Sequence, residues 1–211
     1  MEIDKREYYL IGTFLAFLIP LCMGVIFWWT VASADIFNLL TISEQTIAIL
    51  AITGLAIGIL LDFIYLKKLI NKFYEMSNII AILLYLFCSL MTVAFFMGFP
   101  IGNLVLGSFA GIYVGRKHHY LKTDLKHFTS TAKNVSLFSA FVTSSEALPI
   151  GLLALREKSI IDNINRIFGS ILFNANEIFY IILILILCSI LFGIQYFITR
   201  FGASLSFKKS F

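Results

Sequence analysis

Six apolar stretches separated by short polar gaps run along this 211-residue chain, at about 8–31, 46–66, 78–98, 101–115, 134–155 and 178–199. Most match the roughly 20 residues that a helix needs to cross about 30 Å of hydrocarbon. The pattern predicts an all-α integral membrane protein: a bundle of about six transmembrane helices, forming a single polytopic domain over residues 1–211. None of the gaps has room for a soluble domain. The third and fourth stretches are joined by GFPIGN (98–103), whose Gly and Pro punctuate a tight turn. The fourth stretch covers only about 22 Å at 1.5 Å per residue. A full crossing is preferred to a re-entrant half-helix, because re-entry would put the basic segment 116–133 on the outer side.

The gap before the last stretch has its own period. Ile160, Ile161, Ile164, Ile167, Phe168, Ile171 and Leu172 recur on one helical face, with Lys158, Asp162, Asn163, Asn165, Arg166 and Ser170 opposite. This predicts an amphipathic interfacial helix within 156–176, lying at the outer surface of the membrane before the last span.

Composition supports the same solvent. With 60% hydrophobic residues and a mean hydropathy of +0.94, the chain has too little polar surface to cover a soluble globule. The net charge of +4 is explained by its distribution rather than by nucleic acid. Thirteen of the 16 Lys and Arg residues fall at the N-terminus, in alternate gaps (67–72 and 116–133) and at the C-terminus, leaving only Arg156, Lys158 and Arg166 in the others. By the positive-inside rule both termini are cytoplasmic, with the plasma membrane the expected location. Trp28 and Trp29 close the first span at its outer end, where indoles favour the headgroup layer. The first stretch exceeds a signal-peptide core and its leader MEIDKRE is charge-balanced, so the first helix is expected to be retained. Cys22, Cys88 and Cys188 all fall inside spans and read as small hydrophobes, not as a disulfide framework.

The few polar groups inside the spans carry whatever chemistry there is. Glu146 lies near the middle of the fifth span, where an ionised carboxylate costs a few kcal/mol or more. Ser136, Ser139, Thr143 and Glu146 share one helical face, and Pro149 lacks the N–H that would engage the carbonyl of Ser145. Carboxylate, carbonyl and hydroxyls gathered in this way suit a proton, a small cation or an ammonium-bearing solute. Asp62 is the second candidate, on a face with Gly54 and Gly58 and close to Lys67 at the inner end of its span. It reads either as an interfacial ion pair or as the inner station of a path centred on Glu146. Asn103, Gly107, Gly111 and Gly115 recur every four residues in the fourth span, a small-residue row for helix packing. Asn103 either caps its own helix or reaches a ligand.

All three histidines, His118, His119 and His127, lie in the basic segment 116–133, which is expected to touch anionic headgroups. With no thiolate or carboxylate set beside them, no metal and no cofactor is expected. No histidine falls in a span, which excludes a rhomboid-like protease. There is no His-Glu-x-x-His for a zinc protease, no second intramembrane Asp for an aspartyl protease, and no nucleotide loop. The sequence therefore points away from an enzyme and toward a small multi-pass transporter or permeation protein for a proton, cation or small cationic solute. Its binding set would be Glu146, Ser139, Thr143, Ser145, Asp62 and Asn103. The alternatives are a non-catalytic assembly, immunity or regulatory subunit, as a homo-oligomer or with a partner membrane subunit, and the membrane subunit of an ATP-driven permease.

Overall fold

Every regular element among the described residues is helical. The computed structural model describes residues 4–96, 100–156 and 177–208. In order these form α1 (Lys5–Ile36), α2 (Glu44–Asn71), a 3-10 turn (Phe73–Glu75), α3 (Asn78–Phe95), α4 (Ile101–Tyr120), α5 (Leu125–Ala154) and α6 (Glu177–Lys208). The chain divides into two compact units, Met1–Glu75 and Met76–Ser210. Five helices (α1, α2, α3, α5 and α6) are long and apolar enough to cross a bilayer. The sixth, α4, has 20 residues but not the apolarity. Its glycines, Asn103 and the basic end Arg116–Lys117–His118–His119 dilute the run. The expectation of six spans is therefore met for five.

Local signals set the helix ends. Ser43 and Ser77 cap α2 and α3, their hydroxyls accepting from the backbone N–H of Thr46 at 3.2 Å and Ile80 at 3.4 Å. After α1 the chain turns through Asn38 at φ 55°, and after α4 through Lys122 at φ 51°. Asn enters this left-handed region more readily than most residues. Two expected boundaries need correction. The segment 116–133 is not a loop: α4 continues to Tyr120 and α5 begins at Leu125, so only four residues separate them. Hydropathy sees only the apolar part of a helix, and the start of α5 is amphipathic. Phe128 and Ala132, four apart, are buried with Ala203 of α6, and the Phe128 ring stacks on Phe207 with centroids 4.0 Å apart. For the same reason α6 runs on to Lys208, beyond the apolar stretch that ends near 199. The predicted interfacial helix, apart from Arg156, lies outside the described residues.

In the first unit α1 and α2 form a close hairpin. Gly54 lies against the Met23 carbonyl and Phe27, and Gly58 against the backbone of Pro20, where a Cβ would overlap Pro20 Cα. Tyr74 in the 3-10 turn donates to Glu7 Oε1 at 2.5 Å, tying the end of the hairpin to its start.

In the second unit α4 packs most extensively on α6, and also on α5 and α3. Gly107, Gly111 and Gly115 face Gln195, Thr199, Ala203 and Phe207 of α6 closely enough that a side chain at any of them would overlap. The burial pattern inverts that of a water-soluble protein. Ser89, Asn103, Ser136, Ser139, Thr143, Gln195 and Thr199 are fully buried, while Phe141 is 67% and Phe197 70% exposed.

Candidate functional site

The polar groups of the four-helix unit converge on Glu146 of α5. Ser89 Oγ of α3 donates to Glu146 Oε2 at 2.8 Å, and Asn103 Nδ2 of α4 donates to the same oxygen at 2.5 Å. The second Asn103 N–H reaches Ser89 Oγ at 2.9 Å. Thr92 Oγ1 lies 2.8 Å from Asn103 Oδ1 and 2.5 Å from the Cys88 carbonyl, so its single proton serves one of them at a time. With the Thr92 hydroxyl on its oxygen side, the Asn103 amide turns both N–H groups toward Ser89 and Glu146. Asn103 is thus not the cap of its own helix. Pro100 occupies the cap position, and the Asn103 side chain is spent inside the bundle.

A second layer holds this arrangement in place. Gln195 Nε2 of α6 donates to the Asn103 carbonyl at 3.0 Å. Ser139 of α5 and Thr199 of α6 share a hydrogen bond of 2.9 Å, and Ser139 also contacts the Ser136 carbonyl at 3.1 Å. The small residues at 107 and 111 on α4 give the polar side chains of α6 the room to enter the interior. Both hydrogen bonds to the carboxylate end on Oε2, and Oε1 accepts none among the described residues. Glu146 itself is only half-buried.

Of the residues singled out in the sequence, Glu146 and Asn103 are brought into direct contact, and Ser139 and Thr143 share the buried face of α5. Ser145 is exposed, and its hydroxyl returns to the Val142 carbonyl at 2.8 Å. Pro149 lies within α5 one turn beyond Glu146. Asp62 belongs to the other unit. It is buried and its Oδ1 has no partner. With Tyr8, Tyr9, Thr13 and Lys67 it lines a groove of about 480 Å³. Sequence reasoning missed Tyr85, Ser89, Thr92, Gln195 and Thr199. Each interrupts an apolar run, as Gln195 does in LFGIQYFIT, and that interruption is the signal that would have found them.

At the far end of α4 a basic cluster closes the unit. Lys117 Nζ donates to the Met76 carbonyl at 2.7 Å and Asn78 Oδ1 at 3.2 Å, and burial lowers its pKa. His118 lies 5.3 Å from the His127 ring, with Nδ1 2.7 Å from Thr123 Oγ1. Burial, then the charges of His127 and Lys117, hold His118 below its ordinary pKa. Among the described residues no group of three His, Cys, Asp or Glu side chains is placed to hold a metal.

Comparison of the chain with protein-family models, curated proteins and solved structures returns no match.

Proposed function

We propose that the chain is a multi-pass integral membrane protein whose four-helix unit moves a proton, a cation or a small cationic solute, with Glu146 as the working carboxylate. The membrane part is supported by the inverted burial. Polar side chains are fully enclosed while Phe and Leu cover the outside, as suits a lipid solvent in which interior polar groups find partners within the bundle. The distribution of Lys and Arg supports cytoplasmic termini.

The observation that carries the transport reading is the way Glu146 is held. A carboxylic acid that serves only packing spends its proton in a hydrogen bond to an acceptor. Here the two neighbours are donors, both on Oε2. The bonds suit the ionised form, and Oε1 is left to take a proton or meet a cation. A permanently dry and ionised carboxylate would be too costly, which suits a group that is neutralised reversibly. Gly54 and Gly58 pack against α1, and Gly107, Gly111 and Gly115 against α6, so these glycine faces serve packing within the chain.

Glu146→Gln in proteoliposomes tests the reading. The amide keeps the shape and accepts on its oxygen but does not titrate. Flux driven by a pH gradient should be abolished while the protein still inserts and remains monodisperse. Unchanged flux with unchanged pH dependence would reduce Glu146 to a packing group.

A further inference from the structure

Asp62 of α2 is the other carboxyl set in an apolar stretch, and it lines a groove of the α1–α2 hairpin. It is 8% exposed, and its Oδ1 is enclosed without a partner. Among the described residues its side chain makes no hydrogen bond and no ion pair. Lys67 lines the same groove, with the hydroxyl-bearing Tyr8, Tyr9 and Thr13 on the α1 side. A buried carboxyl without partners is costly, and native proteins leave few such groups. Opposite charges in an apolar setting attract strongly, and closing into an ion pair would neutralise both. Here they share a groove and stay unpaired.

The groove, at about 480 Å³, is of the size of small-molecule sites. A guest that suits both charges brings a cation to Asp62 and an anion to Lys67, so it is a zwitterion. The carboxylate only accepts hydrogen bonds, and a primary ammonium supplies donors that a trimethylammonium lacks. The Tyr8, Tyr9 and Thr13 hydroxyls can donate to the anionic end beside Lys67. The rim points to a lipid. Phe63 is 85% and Tyr9 63% exposed, which sets the groove on the outer surface of the hairpin. Asp62 comes five residues before Lys67, where the apolar stretch gives way to Lys67, Lys68 and Lys72. That is about 8 Å along the helix, and a long side chain such as lysine leans back toward the helix N-terminus over such a distance. This level is the border between hydrocarbon and headgroups.

We propose that the groove holds the headgroup of a phospholipid with a primary amine. Its ammonium meets Asp62, its phosphate meets Lys67 and the neighbouring hydroxyls, and its acyl chains leave over Phe63. This site rests on the membrane part of the reading above and not on the role of Glu146.

Native mass spectrometry of the full chain, stripped of lipid in detergent, tests it. The protein is offered equal amounts of phosphatidylethanolamine, phosphatidylcholine and phosphatidylglycerol with the same acyl chains. The first lipid bound should be phosphatidylethanolamine, preferred over phosphatidylcholine by about tenfold or more, the scale of losing one charged partner in an enclosed site. Asp62→Asn should remove that preference. Lys67→Gln should weaken both lipids, which share a phosphate, and keep the preference between them. Equal binding of the two lipids, or a preference that survives Asp62→Asn, overturns the site. A preference for phosphatidylglycerol would make the groove an anion site of Lys67 alone and overturns it too. Displacement of the lipid by equimolar glycerophosphoethanolamine, which has the headgroup without the chains, would assign the groove to a soluble zwitterion instead. The transport reading fails separately: intact flux in Glu146→Gln leaves these lipid ratios as they are. A chain that stays in solution without detergent would remove both.

Discussion

Glu146 and Asp62 are both acidic side chains in the apolar part of a long helix, yet the four-helix unit and the hairpin hold them differently. Around Glu146, donors arrive from α3 and α4, and α6 braces the donor helix through Gln195. Asp62 is buried against the hairpin with Oδ1 unpartnered, on the rim of a groove with Tyr8 and Lys67. Two helices share a single interface, and here glycines and apolar side chains fill it. Four helices offer several interfaces, so polar groups from three of them can meet at one point. Depth in an apolar segment does not by itself make a carboxylate a working group. On the reading proposed above, convergence from independent elements is what distinguishes Glu146.

The largest effects should come from breaking the close approach that each unit depends on. Valine at 111 would drive into the Thr199 carbonyl and the Ala203 backbone nitrogen, and valine at 58 into Pro20 Cα. Backbone cannot rotate aside as a side chain does, so each change should cost about 3 kcal/mol, the upper end of overpacking penalties, or more. Hydrogen exchange read helix by helix should show α4 and α6 losing protection in Gly111→Val, and α1 and α2 in Gly58→Val. Equal loss in all helices from either variant would erase the distinction between the units. Gly111→Val should also abolish flux, because α4 carries Asn103 and α6 carries Gln195.

The glycine rows, the apolar stretches and Glu146 were legible in the sequence because each depends on a spacing within one helix. What was not legible depends on pairing between helices. Ser89 and Gln195 are single polar residues in apolar runs, and nothing local says that one bonds to Glu146 and the other to the Asn103 backbone. Asn103 shows the ambiguity well. Its place near a helix start suggests a cap, and only its helix's position between α3 and α5 turns the amide toward Glu146. The polar start of α5 escaped for another reason. Phe128 and Ala132 are too sparse to raise hydropathy, yet they suffice to bury one face against α6.

A smaller effect separates the two carboxylates directly. Asp62→Asn keeps the volume and removes a charge that no described donor offsets at Oδ1. The variant should therefore be as stable as the parent or slightly more so, with a midpoint shift within about 4 °C. Its flux should fall far less than that of Glu146→Gln under the same pH gradient. Equal losses in the two variants would place Asp62 in the same pathway as Glu146, and convergence of donors would no longer be the criterion that picks out the site.

The smallest effect concerns pH, and it too falls on one unit. All three histidines of the chain lie in Met76–Ser210, and His118 is buried between α4 and the start of α5 with His127 and Phe128 beside it. Burial, reinforced by His127 and Lys117, sets its folded pKa below the ordinary histidine value. The unfolded chain then binds the proton more readily than the folded one, so unfolding is favoured as the group becomes charged. Its contribution to stability should be fully present above about pH 7 and fall away as the pH drops below about 6.5 and on through the lowered folded value. The thermal midpoint should accordingly be flat above neutrality and decline in acid. His118→Gln keeps a partner for Thr123 without a titrating ring, and its decline over that range should be shallower. The loss of exchange protection in acid should appear at the His118 end of α4 and the first turns of α5 rather than in the hairpin, which has no histidine to charge. A decline of equal slope in His118→Gln would move the acid sensitivity to other groups and leave the two units alike in their response to pH.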